Sequence, residues 1–416
     1  MTRALALIDG EHYAPVVRDA LAELPYDFVA AFLVGGTEKL REGADYGVPL
    51  VADLDDALLE LEPELVLDLS DEPVLGPRER LALASRVLAR GIGYAGPDFR
   101  FDAPRFEPFP LPSLSMIGTG KRVGKTAVVG HLARLFSADR DVVVVSMGRG
   151  GPPEPLVAEV EPTVESLLEL SRAGGHAASD YLETAATARV VTIGCRRCGG
   201  GLAGAPGTSN VAEGAALALE RSPDLVVFDG SGAAIPPVAT GGRVLVVGGD
   251  QEPQIAAGYL NAYRILISDL VVVTNPADDS LHRAIRDVRA AVPIVGVALR
   301  PRPLGPIDGR RVAYFTCAPE SAHAALAAPL RDEHGAEVVH VSGNLARREA
   351  LRTELAQVDA EVYLVELKAA AIDVVAEAAS ARGVEIVLAD NEVVPIPGEA
   401  DLDAELRGLV PLPVAS

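Results

Sequence analysis

Between residues 113 and 299 the chain carries seven short runs that leave little freedom of fold: SLSMIG (113–118), DVVVVSMG (141–148), RVVTIG (189–194), LVVFDG (225–230), RVLVVGG (243–249), LVVVTN (270–275) and IVGVAL (294–299). A strand with one wet face alternates apolar and polar residues. Runs as solid as VVVV or LVVV suit strands buried on both faces, as in parallel sheets flanked by helices. Helical patterns lie between the runs. Several runs end in Gly, Asp, Asn or Ser, the strand ends at which open α/β sheets place their ligands.

The same alternation, with shorter strands, appears on either side. Residues 1–107 offer ALALIDG, FVAAFLVGG (28–36) and ELVLDLS (64–70), with helical stretches at Tyr13–Leu24, Asp53–Leu61 and Arg78–Arg90. PRFEPFPLPSL (104–114) has four prolines in eleven residues and marks a boundary. A second boundary is PRPLGPIDGRR (301–311). After it RVAYFTCA, EVVHVSGN, EVYLVEL and EIVLADN alternate with helical segments. The expected architecture is α/β: a central domain (108–300) with a mostly parallel sheet, and smaller α/β domains at 1–107 and 301–416. The acidic, proline-bearing tail after Asn391 is expected to be a surface extension.

Charge and cysteine content exclude some partners. The formal net charge is -22, which argues against nonspecific binding to nucleic acid or an anionic membrane. No apolar run reaches 18 residues, and the opening MTRALALIDGEHY suits neither a signal peptide nor a membrane helix. Three cysteines make no disulfide framework, so a cytoplasmic location is expected. A homodimer is a generic expectation from the frequency of symmetric assemblies.

The chemistry centres on GTGKRVGKT (118–126), which follows a solid strand and precedes the helical AVVGHLARLF. A strand, a Gly-rich turn and a helix start aim successive N–H groups at a phosphate. Gly118, Thr119, Gly120, Lys121, Arg122, Val123 and Gly124 form the candidate cradle. Lys125 suits the terminal phosphates of ATP, and the Thr126 hydroxyl suits Mg²⁺. Five residues separate Gly118 from the final Gly-Lys, where the common P-loop has four; the bland alternative is a tight turn before an ordinary helix. Asp229, ending LVVFDG, is the candidate metal ligand from a second strand. Asp180 is another, with helix capping as its alternative. Asn275, ending LVVVTN, suits either the adenine edge or an Asn-Pro turn.

Arginines mark a second binding region. Arg149 in MGRGGPPEP and Arg196 and Arg197 in IGCRRCGGGLAG lie among glycines at strand ends, where their forks suit a phosphorylated acceptor. Cys195 and Cys198 form a lone CxxC, short of the four ligands a zinc site needs. Lys368 in VELKAAAID suits a phosphate or a surface helix start. Asp390 and Asn391 are further polar candidates. Asp9, Glu11 and His12 follow the first strand, where they suit acceptor contact, acid–base chemistry by His12, or simply an Asp-Gly turn.

The spacing Gly118-Thr119, four residues ending in Val123, then Gly124-Lys125-Thr126 resembles the loop of dethiobiotin synthetase and related amidoligases. That family activates an anionic oxygen with ATP. A longer set of segments, ALIDGEHYAPV, GTGKRVGKTAV, MGRGGPPEPLV, CRRCGGGLAG, VFDGSGAAIPPV and VELKAAAID, resembles the cyclic 2,3-diphosphoglycerate synthetases across nearly the whole chain. The resemblance implies a P-loop enzyme that uses ATP to close 2,3-diphosphoglycerate into its cyclic pyrophosphate, releasing ADP and phosphate. It implies Lys125, Arg149, Arg196, Arg197 and Lys368 at the reacting groups. A kinase or ligase for another small anion, or a nucleotide-dependent interaction protein, are the competing classes. TNPADD (274–279) in place of an NKxD-like segment disfavours a guanine switch.

Overall fold

The computed structural model describes residues 1–72 and 74–410. It divides into two compact units: residues 1–105 with 251–267 and 280–291, and residues 106–250 with 268–279 and 292–416.

The first unit is a six-stranded sheet with helices between its strands. In chain order it holds β1 (Thr2–Ile8), α1 (Ala14–Glu23), β2 (Tyr26–Leu33), β3 (Leu50–Val51), α2 (Leu54–Leu61), β4 (Leu65–Asp68), α3 (Pro77–Leu88), β5 (Gly93–Ala95) and β6 (Arg100–Phe101). The spatial order is β3-β2-β1-β4-β5-β6, parallel except for β5–β6. Chain order reverses between β1 and β4, which makes their carboxyl ends the switch point where such sheets open a crevice.

The second unit begins with β7 (Ser113–Gly118), α4 (Lys125–Ser137), β8 (Val142–Gly148), β9 (Leu156–Ala158), α5 (Val164–Arg172), α6 (Asp180–Ala188), β10 (Val191–Cys198), β11 (Thr208–Ser209), α7 (Val211–Arg221), β12 (Leu225–Asp229) and β13 (Gly242–Gly248). The chain then supplies α8 (Pro253–Ala256) and α9 (Asn261–Leu266) to the first unit, returns as β14 (Leu270–Thr274), and gives α10 (Ser280–Val288) to the first unit again. There Arg78 donates to Gln254 at 2.7 Å and the Ser85 hydroxyl to the Tyr259 carbonyl at 3.1 Å. The central segment therefore does not keep all of its helices in its own unit.

The remaining elements are β15 (Ile294–Pro303), β16 (Arg311–Phe315), α11 (His323–Asp332), β17 (Glu337–Ser342), α12 (Arg348–Leu355), β18 (Val362–Glu366), α13 (Glu377–Arg382), β19 (Glu385–Pro395) and α14 (Leu402–Gly408). One 13-stranded sheet runs β11-β10-β8-β12-β7-β13-β14-β15-β19-β18-β16-β17, with β9 beside β10. It is parallel except at β9–β10, β10–β11 and β15–β19. The boundary expected at residue 300 falls inside β15, whose ladder with β19 joins the central and C-terminal segments into one sheet.

Solid apolar strands behave as expected. On one face Val144, Val227, Val246 and Val272 pack under α4; on the other Val143, Val145, Val226 and Phe228 pack with Val211, Ala215 and Ala218 of α7. The tail departs from expectation. Leu402, Leu406 and Val410 are buried in the same cluster as Val129 and Phe136 of α4. Asp401 caps α14, and Glu399 accepts from the Gly296 N–H at 2.9 Å. An acidic composition hid an amphipathic helix whose apolar residues recur at i and i+4. Residues beyond 410 lie outside those described.

Candidate active site

β7 delivers the Gly-rich loop at the carboxyl edge of the second unit's sheet, and α4 starts at Lys125. Gly124 has φ 81°, a conformation that favours glycine, and a Cβ there would meet the Leu299 and Thr274 side chains. The unusual spacing has a packing explanation. Thr119 and Val123 are buried, so two loop residues peg the turn to the core rather than face a ligand. The Thr119 N–H donates to the Val246 carbonyl at 3.1 Å, and the Thr274 hydroxyl donates to the Val123 carbonyl at 2.9 Å. Thr274 was not among the residues singled out from sequence. Arg122 holds φ 62°, costly for a non-glycine residue by about 1–2 kcal/mol, and it and Lys121 are exposed.

Lys125 Nζ pairs with Asp229 Oδ1 at the end of β12. Asp229 is buried, and burial pushes its carboxyl up to about 6, against the pull of Lys125. Asp180 opens α6, where an acid complements the helix N-terminus. Its carboxylate lies 3.0 Å from where a Gly148 Cβ would stand, and its charge acts on Asp229 and on Arg197. Thr126 is the second residue of α4. Asp229 and Asp180 offer hard oxygen donors, the type that magnesium takes. Asn275 has a structural task instead. It sits at φ 49°, its N–H donates to the Val297 carbonyl at 2.6 Å, and its amide oxygen accepts from the Leu299 N–H at 2.7 Å, tying β14 to β15.

The arginines form a rim beside the loop. Arg197 donates to the carbonyls of Gly199 and Ser231 at 2.7 and 2.9 Å, while its Nε is buried without a hydrogen-bond partner among the described residues. Burial, and next the charge of Arg149, draw the Arg197 pKa down. At Gly232 the Lys121 stem and the Arg197 guanidinium approach the same point, 3.9 and 4.0 Å from where a Cβ would lie. Arg196 is exposed, and strand alternation sends it to the face opposite Arg197. Its N–H donates to Asn210 at 2.6 Å. The two cysteines are separated likewise: Cys195 is buried against Gly214 and Cys198 is exposed.

Lys368 stands at the carboxyl end of β18, with its Nζ 3.5 Å from Glu183 and 3.9 Å from Glu366. Burial opposes its charge, but Glu183 and Glu366 outweigh burial and raise its pKa, while burial pushes the Glu183 carboxyl itself up to about 8 against the pull of Lys368. Glu366 accepts from Tyr314 Oη at 3.1 Å, Asn391 Nδ2 at 3.0 Å and the Cys317 N–H at 3.4 Å. The charges of Lys368 and of Arg122 from the Gly-rich loop both act on Cys317, which places this cluster beside that loop. Glu183 and Glu366 escaped sequence reasoning because a Glu inside ETAATA or VYLVE gives no signal of its burial. Asp390 pairs with Arg134 at 3.1 Å and Arg302 at 2.9 Å, and Asn391 serves Glu366. Both are structural ties rather than free polar candidates.

In the first unit Asp9 is fully buried at the β1/β4 switch point. It accepts from the Glu11 N–H at 2.9 Å and the Asp71 N–H at 2.8 Å, and it pairs with His12 Nδ1 at 2.7 Å. Burial raises its pKa, but these bonds together lower it below the ordinary value. Glu11 accepts from the Glu38 N–H at 3.4 Å. The Asp-Gly turn is therefore present, and the Asp9–His12 pair forms part of it. Among the described residues no group of three or more His, Cys, Asp and Glu is arranged to hold a metal, and no helix is long and apolar enough to cross a membrane.

Comparison with known proteins decides the family. Three family models match in succession: the N-terminal domain of cyclic 2,3-diphosphoglycerate synthetase at residues 3–102, its P-loop domain at 113–293 and its C-terminal domain at 303–392. The chain belongs to the cyclic 2,3-diphosphoglycerate synthetase family. A cyclic 2,3-diphosphoglycerate synthetase of Rubrobacter xylanophilus is 51% identical over 94% of each chain. That of Thermococcus gammatolerans is 43% identical over 97% of this chain and 96% of its own. The Methanothermus fervidus protein is 37% identical over 94% and 92%. As a synthetase-family member the chain carries a nucleotide-binding P-loop domain, and Lys125 and Thr126 lie within it.

Proposed function

We propose that this chain uses ATP to close 2,3-diphosphoglycerate into its cyclic pyrophosphate, releasing ADP and inorganic phosphate. The observation that carries the reading is the convergence, within one unit, of Lys125 and Asp229 with the cations Lys121, Arg122, Arg149, Arg197 and Lys368. A chain of charge -22 gathers positive charge at this edge. Such charge is what two polyanionic substrates need, because repulsion between unit charges at ~4 Å reaches ~4 kcal/mol at an effective dielectric of ~20.

In this reading the loop N–H groups and Lys125 hold the triphosphate, with its terminal phosphoryl group facing the arginine rim. Lys125 leaves Asp229 for the phosphate oxygens, and Asp229 with Thr126 would hold Mg²⁺, Asp180 lying near. A magnesium ion held there would supply positive charge to offset that of the phosphate oxygens. Arg197 and Arg149 receive one phosphate of the acceptor and Lys368 its other anionic end. An acceptor phosphate oxygen attacks the terminal phosphorus, and ADP departs. The neighbouring acceptor phosphate then attacks the newly made anhydride and expels inorganic phosphate. No protein nucleophile is required, and positioning with charge stabilisation carries the catalysis. The enzyme works in the cytoplasm, without nucleic acid or membrane. Incubation with ATP and 2,3-diphosphoglycerate, followed by mass analysis, is expected to yield a product lighter than the acceptor by one water, with one ADP per product. ATP hydrolysis without such a product would reject the reading.

A further inference from the structure

α6 places a buried acid where the fold itself has no use for one. From Leu182 to Ala188 every residue is buried, and all but Glu183 are Leu, Ala or Thr. Replacing a buried ionisable pair by apolar groups of similar size is often neutral or stabilising, so stability does not explain the glutamate. Its ammonium neighbour is Lys368, 3.5 Å away. Glu366, on the lysine's other side, already accepts from Tyr314, Asn391 and the Cys317 N–H. Glu366 is therefore fixed by the C-terminal sheet, and Glu183 is the contact that reaches the lysine from the P-loop side.

Lysine carries its charge on a flexible four-carbon stem and needs more than one anchor to hold a position. The local backbone also aims it. Ala369, next in the chain, has φ 45°, and a π-helical stretch begins at Ala371. Irregular backbone of both kinds clusters at functional sites. One turn before Glu183 on α6 stands Asp180, whose charge acts on Asp229. The same rigid helix thus registers the lysine against the nucleotide side of the site.

We infer that Glu183 is a positioning residue that holds the Lys368 ammonium, together with Glu366, where the acceptor's second anionic group is received. The inference rests on the assignment of Lys368 to the acceptor made above. The test is a cycle of Glu183→Leu and Lys368→Ala, singly and together, with Glu183→Gln as the conservative variant. Steady-state kinetics with 2,3-diphosphoglycerate, nucleotide affinity and Tm are measured for each. Glu183→Leu is expected to raise the acceptor KM about tenfold, the scale of a direct pair coupling. It should leave nucleotide affinity unchanged and lower Tm, because Lys368 keeps only Glu366 as a counter-charge. The Lys368→Ala background, where that penalty is absent, separates the KM effect from the loss of stability. Glu183→Gln, which keeps an oxygen toward the ammonium, is expected to stay near wild type, and Glu183→Leu should add nothing in the Lys368→Ala background. If the leucine variant does not fold, Glu183→Met takes its place. A normal KM in the apolar variant, or a full effect persisting without Lys368, overturns the inference. A normal KM in Lys368→Ala alone overturns the assignment of Lys368 itself, and the positioning role with it.

Discussion

Two sheet edges in this molecule lie at the carboxyl ends of parallel strands, yet their polar groups are organised in opposite ways. In the first unit Asp9, Asp68 and Asp71 line the β1/β4 switch point. Asp68 accepts from Tyr94 Oη at 2.7 Å, Arg80 Nε at 3.0 Å and the Ser70 N–H at 2.9 Å, and Asp9 is equally occupied. In the second unit Lys121, Arg122 and Arg149 are exposed, and Arg197 Nε is buried without a partner among the described residues. Satisfied buried polar groups hold a fold together, whereas donors left open await something. Topology alone marks both edges as candidates. Hydrogen-bond accounting separates them.

The comparison can be broken by substitution. The largest effect is expected for Lys125→Ala, which removes the cation paired with Asp229 and proposed to take the triphosphate; turnover should fall by about 10³-fold or more. Steady-state kinetics on folded variant protein checks this, and near-normal turnover would remove Lys125 from the site. Asp68→Ala is expected to act on stability instead. It strands the Tyr94 hydroxyl and Arg80, at a cost of about 3 kcal/mol, read as a lowered urea midpoint. Nucleotide affinity measured on the remaining folded protein should be unchanged.

Arg197→Ala is expected to lower kcat/KM for the acceptor by about 30-fold, on the scale of a charged hydrogen bond, and to spare ATP affinity. Arg196→Ala, exposed on the opposite face, should cost much less. Equal losses for the two would erase the distinction between the faces of β10. The smallest effect concerns pH. Asp229 has its pKa raised by burial to about 6, so it protonates at a pH where an ordinary carboxylate is still charged. Below about 6 it is neutral and no longer serves Lys125 or a metal. Turnover is expected to decline through that value, where an ordinary carboxylate would remain charged. A flat profile down to pH 5 would contradict it.

What the sequence disclosed was local. The Gly-rich loop, Lys125 and Asp229 were legible because each sits at the end of a solid strand, where chain direction alone fixes the edge. The roles of Val123 and Thr274 were hidden because their bond spans 151 positions. Asp390 reads as an open polar candidate for the same reason: its arginines come from positions 134 and 302. Glu183 and Glu366 resemble ordinary solvated glutamates until tertiary packing encloses them. Asn275 had two readings that differ only by where β15 runs. The tail was misjudged from composition, although its Leu402–Leu406 spacing carried the helical signal.

The antiparallel ladder between β15 and β19 bears on how such a protein is inherited and handled. The recognisable family modules stop at 293 and resume at 303, either side of the strand that stitches them. Cutting the gene there would leave a ten-residue strand with a bare edge, a template for self-association. The two halves must therefore travel, and be expressed, as one piece.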